Sequence, residues 1–285
     1  MTAVQSQPGG RRPRQAVGAV VAVVAVVVVA LGLCAVPSVA HAQYPQPLAE
    51  APTQPEFLSR YDFHLAAAGL GSGIPERFQW DTHWGGDFDL VDYVQGRFGF
   101  LVDYQAILGN EFRAFDPNQG NYTLEFSGSK RFGRTEVAAV FHHVSRHLSD
   151  RPKRLAVAFN AAEVRLLRRF TLGPRTLVDL KADLGHVTEK AYNDYTWLGK
   201  LDVTARQQVN SVAGLYGRTY ADFFATDRAI ALRGTQRGAR VEAGVRLRGK
   251  GGAMDLFAGW ERMVDADLFD RQPRSWAFAG FRLVN

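Results

Sequence analysis

The sequence predicts an all-β fold, a single transmembrane antiparallel β-barrel of about twelve strands. Three observations predict it. Apolar and polar residues alternate with period two over unusually long segments. The connections between those segments alternate between short and long. After the first 42 residues, no apolar run is long enough for a spanning helix.

At the N-terminus, Arg11, Arg12 and Arg14 precede an apolar run from Ala16 to Leu33, and Pro37-Ser38-Val39-Ala40-His41-Ala42 ends in an A-x-A pattern. That order is the signature of a secretory signal peptide, expected to span residues 1–42 and to be cleaved after Ala42. The run is about long enough to anchor the chain uncleaved, but the A-x-A site directly follows it. Cleavage leaves 243 of the 285 residues and removes Cys34, the single cysteine. The mature chain then has neither disulfide nor thiolate metal site. It also loses three arginines and no acid, so its formal charge falls from +6 to +3. A nearly balanced chain gives no reason to expect nucleic acid. At 46% hydrophobic and 22% charged, the composition is that of a folded protein. Residues 43–55 are Pro-rich and read as a periplasmic linker, leaving 56–285 for the barrel.

The strand pattern is clearest from Gln236 to Arg248. Ala239, Val241, Ala243, Val245 and Leu247 share one face; Arg240, Glu242, Gly244, Arg246 and Arg248 share the other. The same separation marks 97–108, 121–127, 175–184 and 195–206. These segments match the ~9–11 residues of a tilted membrane strand, not the ~5–6 of a soluble one. Short turns are expected near Gln95-Gly96, near Gly133-Arg134, and at Thr171–Pro174, Gln207–Asn210 and Gly249–Gly252. Longer loops are expected at Gly71–Pro75, Gly109–Gly120, Val144–Lys153, Val187–Asp194, Asp222–Thr235 and Met263–Pro273. Strict alternation of the two kinds gives twelve strands, with both ends on the short-turn side. Tyr61, Trp80, Trp84, Tyr195, Trp197, Tyr216, Trp260 and Trp276 are candidates for interface girdles. A soluble periplasmic β-protein is the alternative fold.

The segment Phe141-His142-His143-Val144-Ser145-Arg146-His147-Leu148-Ser149-Asp150 carries the candidate chemistry. His143 and Ser145 share the lipid-facing phase of the fifth strand, where an imidazole can activate a hydroxyl. In spacing, phase and height the pair resembles the His-x-Ser pair of outer-membrane phospholipase A and the lipid A 3-O-deacylases. That resemblance implies His143 as general base and Ser145 as nucleophile. Arg146 stands where those families usually have Asn. The orienting residue stays open among Asp116, Asn118 and Asp150. The longer stretch His143-Val144-Ser145-Arg146-His147-Leu148-Ser149-Asp150 is similar to the H-x-S-S-H-L-G-D strand-end signature of a family of uncharacterised outer-membrane proteins, which implies a barrel and no particular activity. Two other readings of the segment are a scaffold at the membrane interface and a metal site of His142, His143, His147 and Asp150. Opposite pointing of the adjacent His142 and His143 counts against the metal.

The polar phases place Arg165, Arg169, Arg175, Asp179, Lys181, Asp183, Lys200, Asp202, Arg206, Arg240, Glu242 and Arg246 toward the lumen. Mixed signs there predict cross-strand ion pairs, with a narrow solute channel as the other reading. The expected function is an outer-membrane barrel, porin-like or structural. The alternative is a lipid esterase acting through His143 and Ser145. Expected partners are outer-membrane lipids, lipopolysaccharide and the barrel-assembly machinery. No motif calls for a cofactor or metal.

Overall fold

The computed structural model describes residues 51–149, 157–268 and 270–285. The signal segment 1–42 and linker residues 43–50 lie outside the described residues, and 51–55 have no regular structure.

Twelve strands follow in chain order: β1 (Glu56–Leu70), β2 (Trp80–Asp92), β3 (Arg97–Gly109), β4 (Asp116–Phe132), β5 (Thr135–Leu148), β6 (Val157–Gly173), β7 (Thr176–Ala191), β8 (Tyr195–Gln208), β9 (Ala213–Thr226), β10 (Gln236–Arg248), β11 (Ala253–Met263) and β12 (Arg274–Val284). Each pairs antiparallel with its neighbours, and β1 closes on β12. Closure pairs the inner backbone groups without water, which hydrocarbon demands. The β1–β12 seam runs only from His64 opposite Val284 to Leu70 opposite Phe278, so the first half of β1 projects past β12. Within the seam Gly280 is required, because a Cβ there would collide with the Ala67 carbonyl. At the β4–β5 turn, Gly133 takes φ +59°, a left-handed conformation that costs glycine least.

The strands are longer at the long-loop end than alternation predicts. β4 already begins at Asp116, β5 runs to Leu148, and β7 runs to Ala191. Outside the hydrocarbon both faces of a strand are wet, so polarity stops marking the strand while backbone pairing continues. The connection between β7 and β8 is consequently only 192–194.

The outer wall settles the environment. Phe63 (51% exposed), Phe98 (55%), Phe126 (51%), Val164 (60%) and Val241 (49%) all present their side chains outward. Phe63, Phe88, Phe100 and Phe126 form a ladder across β1–β4, with ring centroids 5.4, 6.1 and 4.8 Å apart. A water-soluble protein does not leave so continuous an apolar belt exposed, which excludes the soluble alternative.

Of the girdle candidates, Tyr61, Trp84, Trp197 and Trp260 are exposed on this wall. Tyr195, Tyr216 and Trp276 are buried instead. A bulge between Tyr195 and Trp197 reverses the phase, so the Tyr195 hydroxyl turns in to Asp265 at 2.6 Å. Tyr216 donates to Glu242 at 2.7 Å, and Trp276 stacks on Phe78 at 5.4 Å.

Candidate functional site

On β5 the phases separate as the alternation requires. His142, Val144 and Arg146 face the lumen cavity, whereas His143, Ser145 and His147 lie on the outer wall. Ser145 Oγ lies 2.6 Å from His147 Nε2. His143 Nδ1 lies 2.6 Å from Asn160 Oδ1, on the residue directly opposite in β6. Asn160 Nδ2 in turn donates to Glu189 Oε2 of β7 at 2.8 Å. The structure therefore places His143 and Ser145 side by side on one face, but the hydroxyl's partner is His147, not His143.

An aromatic row leads to the site. Trp84 and Tyr104 are 5.4 Å apart, Tyr104 and Tyr122 are 4.8 Å apart, and Tyr122 meets the His147 ring edge-on at 5.9 Å. Such amphipathic rings favour the boundary between hydrocarbon and headgroups.

Of the orienting residues considered from sequence, the two described ones have other partners. Asp116 pairs with Arg113, and Asn118 donates to the Arg77 carbonyl. Asp150 lies outside the described residues. Asn160 was missed because its approach depends on the β5–β6 register, which residue spacing does not encode. For the metal reading, His142 turns inward to Glu163 Oε1 at 2.5 Å while its neighbour faces out. Among the described residues no group of three or more His, Cys, Asp or Glu is arranged to hold a metal ion.

The lumen is filled by ion pairs. Arg165 donates to Asp183 and to Glu125, both at 2.7 Å. Arg169 and Arg206 converge on Asp179, and Lys181 lies 3.5 Å from Asp183. Lys200 reaches Glu163 at 3.4 Å, and Arg218 pairs with Asp202. Arg240 and Arg282 both reach Glu242 at 3.0 Å, and Arg246 reaches Asp255 at 2.7 Å. Arg175, at the β6–β7 turn, donates to the Val209 carbonyl and lines a small pocket with Arg206 and Arg246. A cavity of about 380 Å³ remains in the lumen.

Long loops close one end. Arg233 clamps Asp194 with two bonds of 2.7 Å and Asp265 with bonds of 2.6 and 2.8 Å. Arg271 adds contacts to the same two carboxylates. Arg146 and Gln119 hold the loop from below through the Asp265 and Ala266 carbonyls. Burial alone would raise the Asp194 carboxyl, but hydrogen bonds from Arg233 and Arg271 hold it at about 2. The same kind of bond from Arg233 holds Asp265 below the usual range. A lowered carboxyl stabilises above its ordinary value near 3.8 and loses that contribution as pH falls through the lowered one. Pepsin is therefore expected to cut residues 227–235 and 264–273 slowly at pH 4 and rapidly at pH 2. Electrophoresis of unboiled samples checks that the barrel itself survives. Equal cutting at the two pH values would exclude the clamp as what holds this cap.

No family model matches the chain, and no curated protein matches it. Solved structures that resemble it are membrane barrels. An outer-membrane channel of Pseudomonas putida F1 is 12% identical, with a TM-score of 0.49 over 79% of this chain and 93% of its own. OmpT of Vibrio cholerae is 11% identical, with a TM-score of 0.40 over 79% and 97%. The toluene transporter TodX of P. putida is 9% identical, with a TM-score of 0.39 over 79% and 89%. These are likenesses of fold alone. In this chain the topology is closed, the outer wall carries an apolar belt and the lumen is charged. The fold is that of a bacterial outer-membrane β-barrel.

Proposed function

We propose that this outer-membrane barrel is an acyl-ester hydrolase that acts on surrounding lipid through its outer wall. The observation that carries the reading is the lipid-facing cluster of Ser145, His143 and Asn160, with hydroxyl, imidazole and orienting amide on one exposed face. Ser145 Oγ would attack the acyl carbonyl while an imidazole takes its proton. The same imidazole returns that proton to the departing alcohol oxygen. It then activates the water that releases the fatty acid and regenerates Ser145. His143 is the better base, because Asn160 occupies its Nδ1 and leaves Nε2 for the hydroxyl. For this step Ser145 would have to change rotamer, turning Oγ from His147 to His143.

Phospholipid and lipopolysaccharide both present acyl esters. The chain would reach the outer membrane by cleavage of the signal peptide after Ala42 and insertion by the barrel-assembly machinery, with residues 43–55 left in the periplasm.

A second reading, a narrow gated channel, is favoured by the 380 Å³ lumen cavity beneath the Arg233 cap. One preparation of refolded barrel tests both. Fatty-acid release from phospholipid or lipopolysaccharide supports the hydrolase. Discrete conductance steps in planar bilayers without any release would replace it with the channel.

A further inference from the structure

The β6–β7 ladder breaks register beside the site. Ala161 lies opposite Val187, but Asn160 lies opposite Glu189 rather than Thr188. Thr188 is the extra residue of a β-bulge, and its hydroxyl donates to the Asn160 carbonyl at 3.3 Å. Strict alternation from the buried, lumen-facing Val187 would turn Glu189 inward. The bulge instead brings its carboxylate out to Asn160. The bulge thus turns an acid from the lumen side to the outer face, against Asn160.

We propose that Glu189 is a positioning residue that, through Asn160, sets which nitrogen of His143 carries the proton. A carboxylate only accepts hydrogen bonds, so the Asn160 amide must show it Nδ2. Oδ1 then faces His143, and it too only accepts. His143 must therefore donate from Nδ1, which leaves the lone pair on Nε2. A reversed amide would offer Nδ2 to His143, place the lone pair on Nδ1, and leave Nε2 protonated and unable to take a proton from Ser145. The charge of one acid thus fixes an amide orientation, and the amide fixes a tautomer. The tautomer follows from the hydrogen bonds alone; its value to catalysis rests on the hydrolase reading.

The test uses the refolded mature barrel with ¹⁵N-labelled histidine, His143 being assigned by comparison with His143→Gln. Wild type is expected to show a protonated Nδ1 and an unprotonated Nε2. In Glu189→Lys a cation faces the amide and turns it over, and the His143 pattern should invert. In Glu189→Gln, whose amide can face either way, a mixture is expected. Glu189→Asp should restore the wild-type pattern. In the same samples Glu189→Lys should lower kcat for fatty-acid release about a hundredfold with little change in KM, within the ~10⁴-fold that a wrong tautomer costs a serine hydrolase. An unchanged His143 pattern in folded Glu189→Lys overturns the proposal, even if the protein releases fatty acid. Inversion without any release by wild type upholds the positioning chain and removes the hydrolase reading instead.

Discussion

Exchange of Ser145 for Ala is expected to remove fatty-acid release by a factor of 10³ or more, with the barrel intact. The hydroxyl is the only atom lost, and removal of a serine nucleophile typically costs about 10³–10⁶ in kcat. Ser145 is partly exposed on the outer wall and its bond to His147 spans two residues of one strand, so its loss leaves every ladder in place. Unboiled electrophoretic migration and urea midpoint should match wild type. His143→Ala is expected to lose as much, whereas His147→Ala should keep release within about tenfold, since Asn160 holds His143 Nδ1 and leaves its Nε2 as the base. The assay is initial release from mixed micelles at saturating lipid. Undiminished release by Ser145→Ala would end the serine mechanism. Loss in His147→Ala with retention in His143→Ala would move the base two residues along the strand.

Arg165→Leu is expected to be the most destabilising single change in the lumen. Arg165 is buried and donates to Asp183 of β7 and Glu125 of β4, tying together strands three apart in sequence order. Leucine fills part of the volume but takes from Glu125 and Asp183 their closest cation, leaving Lys181 at 3.5 Å from Asp183 and Lys200 at 3.9 Å from Glu125. Breaking a buried ion pair by removing one partner costs about 3–5 kcal/mol, mostly through the uncompensated charge left behind. Urea unfolding in lipid vesicles measures it. Adding Asp183→Leu and Glu125→Gln to Arg165→Leu should recover a large part of the loss, because the stranded charges go too. A single variant as stable as wild type would mean that lumen water screens these groups, and that the network is not what stiffens the wall.

The barrel was legible in the sequence because its two solvents, lipid outside and charge inside, write alternation directly into residues such as those from Gln236 to Arg248. Legibility ended where both faces are wet. The ends of β4, β5 and β7 read as loop, and the bulge at Tyr195 reversed a phase that alternation alone cannot reverse. The site divided in the same way. His143 and Ser145 are neighbours along one strand, so spacing found them. Asn160 and Glu189 come from two other strands, and their arrival depends on β5–β6 register and on the Thr188 bulge. The Arg233 clamp was invisible for a related reason, since its partners Asp194 and Asp265 sit on separate loops.

The short β1–β12 seam gives the wall a preferred line of failure. It has the fewest rungs of any ladder, and Gly280 supplies no side chain to lock it. Heat or tension should therefore unzip the cylinder along its chain ends first, where His64 meets Val284. During biogenesis the same junction would be the last to zip shut. Until then β1 and β12 each offer a bare backbone edge, and whatever holds the unfinished sheet must shield both from strands of other chains.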